Sequence, residues 1–219
     1  MNQADLAIIY KKGATDKPEN YRPIALLNLS YKILAKMIQV RLCNGLDDHL
    51  DSQQYGFRKA KSTSQPLFIY RIVLEIHEET GLEMYTLLLD WEKAFDKVAQ
   101  ERLIIVLKRM GIPDEMTDLI ASIYKEPQFN VKDGKLKSSP KFQQTGIRQG
   151  CPLSPYLFII LLSAIMKDID NNLTEEDANV INQGKLCKAT FNKLFYADDT
   201  LIMTTTTEAA EFIQHKIQR

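Results

Sequence analysis

Apolar residues along the 219-residue chain recur at helical spacing in five segments and form strand-like runs in three others. Apolar positions three and four residues apart mark one face of a helix, and short runs bounded by glycine or aspartate favour strands. The helical spacing predicts helices over residues 26–42, 64–79, 100–110, 114–124 and 154–169. The short runs predict a buried strand over 84–90, a polar hairpin over 129–137 and a second hairpin over 191–206.

The order of these elements favours an α+β fold. Helix, strand, helix, helix, hairpin, helix and hairpin follow one another without the regular strand-helix alternation of a doubly wound sheet. No repeat, low-complexity tract or Pro/Gly linker interrupts the chain, so we expect one continuous domain. The longest apolar run, 156–166, is too short to span a bilayer and predicts a buried helix.

Composition adds little about partners. The chain has 28 lysines and arginines against 28 aspartates and glutamates, so the formal net charge is zero. A zero net charge gives no argument for a nucleic-acid or membrane partner. The three cysteines have no Cys-x-x-Cys spacing and no histidine cluster beside them, which disfavours a disulfide framework and a zinc site. No signal peptide is visible.

Two adjacent aspartates, Asp198 and Asp199, interrupt the apolar stretch FYADDTLIM at 195–203. Neighbouring side chains of a strand point to opposite faces, so one carboxylate would enter the core unless the pair lies in a turn. A turn with no function explains the pair when it is taken alone. The apolar arms on both sides instead favour a covered sheet with the acids at its rim.

Asp90 also ends an apolar strand, and a helix cap is its simplest explanation in isolation. Together with Asp198 and Asp199 it would supply the oxygen ligands that Mg²⁺ prefers. Two such ions, about 3.5–4 Å apart, activate an attacking hydroxyl and stabilise a leaving phosphate. The three acids therefore predict phosphoryl transfer.

Five ordered blocks of sequence resemble the reverse transcriptases of non-LTR, LINE-type retrotransposons. LLLDWEKAFDKV (87–98), GIRQGCPLSPYLF (146–158) and FYADD (195–199) are similar to three palm motifs of that family. NYRPIALLNLSYKILAKMIQVRL (20–42) and QQYGFRKAKST (53–63) are similar to the finger motifs that precede the palm. The resemblance implies an RNA-directed DNA polymerase with a right-hand fold, an RRM-like (ferredoxin-like) palm, and fingers built of helices plus a hairpin.

In domain terms, the resemblance implies fingers over about 1–65 and 98–150 and a palm over 66–97 and 151–219. The thumb and endonuclease that such proteins usually carry are not visible in the sequence. We therefore expect a fragment of a longer reading frame or a degraded element, and the activity of the chain itself is left open.

The resemblance also implies the metal site. Asp90, Asp198 and Asp199 are expected to hold two Mg²⁺ ions, with Mn²⁺ as a substitute, and the backbone carbonyl of Trp91 is expected to add a ligand. Asp96 is expected to be structural.

Four residues are implied at the incoming dNTP: Arg58, Phe95, Gln149 and Gly150. Arg58 would grip the triphosphate through two donors. Phe95, unless it is simply a core residue, would clash with a 2′-OH and so favour deoxynucleotides. Gln149 would lie beside the nucleotide, and Gly150 would let the backbone approach it closely.

Arg22, Arg148 and Tyr196 are implied at the template and primer. The expected partners are an RNA template, a DNA primer and dNTPs, with no membrane, as in target-primed reverse transcription. The expected location is intracellular, in the nucleus at the point of action of a eukaryotic retroelement. Alternatives are a group II intron-type reverse transcriptase or maturase, an RNA-dependent RNA polymerase, and a non-catalytic RNA-binding fragment of the same fold.

Overall fold

The computed structural model describes residues 3–183 and 193–218. Residues 184–192, which include Cys187 and the first two positions of the predicted second hairpin, lie outside the described residues. The described strands are β1 (Gln3–Tyr10), β2 (Tyr21–Leu26), β3 (Tyr85–Leu89), β4 (Gln128–Asp133), β5 (Leu136–Lys137), β6 (Lys141–Phe142), β7 (Lys193–Tyr196) and β8 (Asp199–Thr204). The described α-helices are α1 (Leu29–Leu46), α2 (Ser64–Thr80), α3 (Gln100–Arg109), α4 (Asp114–Ile123), α5 (Ser154–Asn171), α6 (Glu175–Gln183) and α7 (Thr207–Gln218).

The chain divides into two units, each with its own sheet. The first unit comprises Met1–Gly45 and Lys93–Leu161, and the second comprises Leu46–Glu92 and Leu162–Arg219. These bounds differ from the expected fingers and palm mainly at 46–65 and 151–161. The first of these segments belongs with the second unit because Tyr55 N donates to Phe195 O at 2.8 Å. The other belongs with the first unit because Phe158 stacks on Phe95.

The sheet of the first unit has the strand order β2-β1-β4-β5, with β6 also paired to β4. β1 runs antiparallel to β2 and parallel to β4. Neither β1 nor β2 was predicted. Exposed Ile8, Ile9 and Tyr10 give β1 no clear alternation of polar and apolar positions, so the period of a half-buried strand is absent.

Most predicted helices of this unit are present with small shifts. The helix predicted from residue 26 begins at Leu29 instead, because β2 continues to Leu26 and uses Pro23 in its pairing with Ile8. Helix α4 begins at Asp114, as its predicted bounds have it, and Pro113 occupies the cap position. The predicted polar hairpin is present as β4 and β5. Its turn uses Gly134 at a φ of 56°, which glycine adopts without steric cost.

The second unit contains a three-stranded antiparallel sheet of order β3-β8-β7. Its core includes buried Tyr55, Leu194 and Met203, and α2 packs Ile69 and Val73 against them. Helix α2 ends at Gly81, whose left-handed conformation at a φ of 67° stops the helix before β3. None of the described helices is both long and apolar enough to cross a membrane.

Candidate active site

The hairpin of β7 and β8 carries the two adjacent aspartates. Tyr196 pairs with Asp199, so the loop between the strands consists of Ala197 and Asp198. The expectation that both acids leave the sheet at the turn is therefore wrong by one residue, because Asp199 is already the first residue of β8. Ala197 has a φ of 58°, a conformation that costs a residue with a Cβ roughly 1–2 kcal/mol.

Asp90 follows β3, the strand that pairs with β8. The last pair of that ladder is Leu89 with Thr200, so Asp90 and Asp199 are each the next residue beyond this pair, at the same end of the sheet. Trp91 anchors the end of the strand, since its indole Nε1 donates to Thr200 Oγ1 at 3.0 Å. The three predicted acids thus lie at one end of one sheet.

The environment of these acids suits a cation. Asp90 and Asp199 are exposed and Asp198 is half-buried. Within the described residues, the three carboxylates take part in no hydrogen bond or ion pair. Carboxylate oxygens are ligands that hard divalent cations prefer, so the donor type fits. Among the described residues, however, no three acidic, histidine or cysteine side chains lie close enough together to form a ready-made metal cluster.

An open cavity of about 450 Å³ lies between α2 and the sheet. Asp90, Asp199 and Tyr196 are polar members of its wall. The apolar members are Pro66, Leu67, Leu88, Leu89, Leu194, Phe195 and Leu201. Tyr196, which was expected at the template or primer, therefore shares this cavity with two of the three acids.

Arg58 is buried within the second unit, with 7% of its side chain exposed. Its Nε and Nη2 donate to the carboxylate of Asp47, and Nη2 also donates to the backbone carbonyl of Asp47. Nη1 donates to the carbonyls of Asp51 and Gln54 at 2.8 and 3.3 Å. All five N–H groups of the guanidinium are therefore used within the chain. This arrangement holds the Arg58 side chain in place through contacts within the chain, and its expected role at the triphosphate stays a prediction.

In the first unit, the turn residues 93–97 pack against the loop at 145–150. Ile147 N donates to Phe95 O at 2.8 Å, and Gln149 Nε2 donates to Asp96 Oδ1 at 3.0 Å. These bonds bring together Phe95 and Gln149, which were both expected at the dNTP, and they use Asp96 in the structural manner expected. The Phe95 ring stacks on Phe158 with centroids 5.2 Å apart, which fixes its position.

Gly150 lies against the backbone of β2, and its expected role at the dNTP stays a prediction. Its φ is 99°, and an added Cβ would lie 2.8 Å from the carbonyl oxygen of Ala25. Ala25 N also donates to Gln149 O at 2.7 Å. In this structure, the close backbone approach that the glycine permits is to β2.

The two arginines expected at the template or primer differ in exposure. Arg22 is exposed on β2, where it pairs with Ile9. Arg148 is buried, with 4% exposure, and its guanidinium lies 5.3 Å from the centre of the Tyr31 ring. Burial raises the pKa of the Tyr31 phenol, whose oxygen also contacts Cys151 Sγ at 3.4 Å. Arg148 therefore packs inside the first unit.

Comparison with known families identifies the fold and the class of protein. Residues 9–219 match the family model described as reverse transcriptase (RNA-dependent DNA polymerase). The chain belongs to this reverse transcriptase family. The resemblance of the five sequence blocks is thereby confirmed.

Relatives of this reverse transcriptase domain come from transposable elements. It is 29% identical over 206 residues to the Transposon TX1 uncharacterized 149 kDa protein of Xenopus laevis. The alignment covers 92% of the chain and 15% of that protein. It is 29% identical to the RNA-directed DNA polymerase from mobile element jockey of Drosophila melanogaster, in an alignment that covers 92% of the chain and 21% of that polymerase. The Pol polyprotein from the R2 element of Nasonia vitripennis is 24% identical to the chain, in an alignment that covers 96% of the chain and 20% of the polyprotein. The chain thus spans about a fifth or less of these relatives.

Solved structures confirm the predicted fold class. Apo telomerase from Candida tropicalis superposes over 100% of the chain and 42% of that protein, with a TM-score of 0.68 and 13% identity. At this identity the likeness shows the fold alone. The α+β right-hand polymerase fold is therefore established for the reverse transcriptase domain, while the roles of individual site residues stay predictions.

Two residues that sequence reasoning missed lie beside the acidic hairpin. Gln54 hydrogen-bonds to Ala197, and Gly56 packs against the same turn. Both belong to the QQYGFRKAKST block, in which Arg58 drew attention because of its charge. The sequence signal that could have pointed to these two residues was the presence of a neutral glutamine and a glycine in an ordered motif.

Proposed function

We propose that this domain catalyses RNA-directed DNA synthesis, in which a dNTP is joined to the 3′-OH of a primer on an RNA template. Asp90, Asp198 and Asp199 hold two divalent cations, Mg²⁺ or Mn²⁺. The observation that carries the proposal is the β3–β8 ladder, whose last pair, Leu89 with Thr200, is followed by Asp90 on one side and by Asp199 and the turn that bears Asp198 on the other.

The electrostatics of that sheet edge support the proposal. Among the described residues, these three carboxylates form no hydrogen bond or ion pair, so their oxygens are available to a cation. Divalent cations, when bound, promote attack by the primer hydroxyl and stabilise charge on the leaving pyrophosphate. The chain itself supplies the oxygen ligands, which come from the ends of two strands and from the turn between β7 and β8.

The loop pair of the first unit supports nucleotide selection. Phe95 is held by its stacking on Phe158, so its ring cannot easily swing away from a 2′-OH. Gln149 is held by Asp96, which orients its amide for contact with the incoming nucleotide. RNA as the template partner is supported by telomerase from Candida tropicalis, a protein of the same fold that has been solved in complex with a fragment of telomeric RNA.

A primer-extension assay tests the proposal. A DNA primer annealed to an RNA template is incubated with dNTPs and Mg²⁺, with EDTA as the negative control. Asp198→Asn should lower the extension rate by more than the roughly 100-fold that loss of a partner outside the ligand shell can cost. Asp48→Asn makes the same change at an exposed acid outside the site and should extend at the wild-type rate.

A chain lengthened toward the size of its relatives is assayed in parallel. Extension only by the longer protein would assign the activity to the whole protein and leave the metal ligands as proposed. An Asp198→Asn variant as active as wild type would refute the ligand assignment. Absence of extension at every chain length would refute the proposed function.

A further inference from the structure

We propose that Gln54 is a positioning residue that holds the Ala197–Asp198 turn in the conformation that presents Asp198. The inference rests on the proposed function, because it concerns the hairpin that carries two of the three proposed metal ligands. Gln54 itself lies 143 residues earlier in the chain and contacts the turn only through its side-chain amide.

The amide of Gln54 satisfies both backbone polar groups of one turn residue. Its Nε2 donates to Ala197 O at 3.2 Å, and its Oε1 accepts from Ala197 N at 3.0 Å. Oε1 also accepts from Gly56 N at 2.7 Å. Gln54 is 1% exposed, so water cannot replace these bonds if the side chain is changed.

The turn needs such support because of its sequence. Ala197 adopts a φ of 58° although it has a Cβ, whereas two-residue turns of this kind usually place glycine, asparagine or aspartate at such positions. A strained conformation persists only where the surroundings hold it, and strain of this kind is concentrated at functional sites. Gln54 is the side chain that meets both polar groups of the strained residue.

The backbone around Gln54 is fixed to the same hairpin. Tyr55 N donates to Phe195 O at 2.8 Å, and Phe195 N donates to Gln53 O at 2.9 Å. A Cβ on Gly56 would lie 2.2 Å from Ala197 N, so no larger residue fits there without displacing the turn. The segment 53–56 thus lies against β7 like an additional short strand.

The required chemistry is specific to glutamine. Glutamate retains the two acceptor contacts and loses the donor to Ala197 O. Methionine has a similar length and shape and loses all three bonds. Loss of a buried amide that merely stabilised the unit would also lower the free energy of unfolding. The size of that effect, however, would not depend on the conformational preference of residue 197.

The experiment therefore combines Gln54→Met with Ala197→Gly in a double-mutant cycle. Gln54→Asn, which keeps the amide on a shorter side chain, serves as a milder variant in case Gln54→Met does not fold. Thr117→Val is the stability control, because it removes one buried side-chain hydrogen bond, to Asp114 O, away from the hairpin. Three properties are measured on each full chain: hydrogen exchange of the residue 197 amide, Mn²⁺ affinity from water proton relaxation, and kcat and KM in primer extension.

We expect Gln54→Met to accelerate amide exchange at Ala197 and to weaken Mn²⁺ binding. We expect kcat to fall by about 10- to 100-fold, the effect of displacing a reacting group by around 1 Å, with little change in KM for dNTP. The losses of Mn²⁺ affinity and of kcat should be clearly smaller when residue 197 is glycine. Gln54→Asn should lie between wild type and Gln54→Met in both properties. Thr117→Val should change neither exchange at Ala197 nor Mn²⁺ affinity.

Equal losses with alanine and glycine at position 197 would overturn the inference, as would unchanged exchange and Mn²⁺ affinity in both Gln54 variants. A wild-type chain that binds Mn²⁺ but does not extend primers would contradict the proposed function alone. In that case the exchange and Mn²⁺ measurements still decide the role of Gln54.

Discussion

Replacing Arg58 tests whether this arginine supports the fold or binds the triphosphate. Arg58→Met keeps an unbranched stem and removes the charge and all five donors. The change removes the ion pair with the Asp47 carboxylate and the guanidinium bonds to the carbonyls of Asp47, Asp51 and Gln54. Arg58→Lys keeps the charge but cannot reproduce the planar fork.

The expected magnitude follows from burial. Breaking a buried ion pair by removing one partner costs about 3–5 kcal/mol. The Arg58 side chain is 7% exposed, but that of Asp47 is 25% exposed and can recover some hydration. We therefore expect Arg58→Met to lower the free energy of unfolding by about 3 kcal/mol, at the lower end of that range. Arg58→Lys should cost less, about 1–2 kcal/mol, because it loses bonds but no charge.

Urea unfolding measures these changes through the fluorescence of Trp91, the single tryptophan of the chain. Arg71→Met is the matched control, since Arg71 pairs with Glu75 on α2 while its side chain is 79% exposed. An exposed pair of this kind contributes about 0.5 kcal/mol or less. The reasoning would be refuted if Arg58→Met lost under about 1 kcal/mol while the KM for dNTP rose, because Arg58 would then be a nucleotide ligand.

Three further outcomes are expected. Phe95→Ala should increase incorporation of ribonucleotides relative to deoxynucleotides in primer extension, because the ring that would meet a 2′-OH is removed. Gly150→Ala should lower the free energy of unfolding by about 1–3 kcal/mol in urea unfolding, because its φ of 99° and the Ala25 carbonyl both oppose a Cβ. Asp177→Asn should destabilise the chain at neutral pH but progressively less as the pH falls below about 4. The sign follows because the hydrogen bond from Lys216 lowers the pKa of Asp177, so its stabilisation is complete above the ordinary carboxyl pKa and is lost through the lowered one.

Matched substitutions provide the controls. Phe142→Ala removes an exposed phenylalanine from β6 and should leave sugar selectivity unchanged. Gly45→Ala lies in α1, where an added Cβ meets nothing within 4 Å, and should be neutral or stabilising. An unchanged ribonucleotide ratio, a neutral Gly150→Ala, or a pH-independent effect of Asp177→Asn would contradict the respective argument.

Periodicity predicted the helices better than the strands. Helices α2, α3, α4 and α5 begin and end within a few residues of their predicted bounds, because the apolar residues of each recur at helical spacing or form a continuous run. Strand β2 was missed because its apolar residues run directly into those of α1, and no period separates the two elements. Strand register cannot be derived from composition, which is why Asp199 was expected in the turn.

Part of the site was predictable from the positions of the apolar runs. Asp90 and the Asp198–Asp199 pair end apolar runs, and strand ends meet at the edge of a sheet, so their common location followed from the sequence. The role of Gln54 did not follow, because its partner Ala197 is distant in sequence and both residues are uncharged. The same holds for the burial of Arg148 against Tyr31, which depends on the packing of two distant segments.

The motif QQYGFR acquires a single physical explanation when its contacts are considered together. Arg58, paired with Asp47, donates to the carbonyl of Gln54 and so fixes the backbone from which the Gln54 amide reaches the turn. Gly56 leaves room for that turn to approach, and Gln54 holds both polar groups of Ala197. Arg58, Gln54 and Gly56 therefore all support the conformation of Ala197, the strained residue beside Asp198. A basic residue in this motif thus contributes to the acidic site through the backbone it supports, without having to touch the nucleotide.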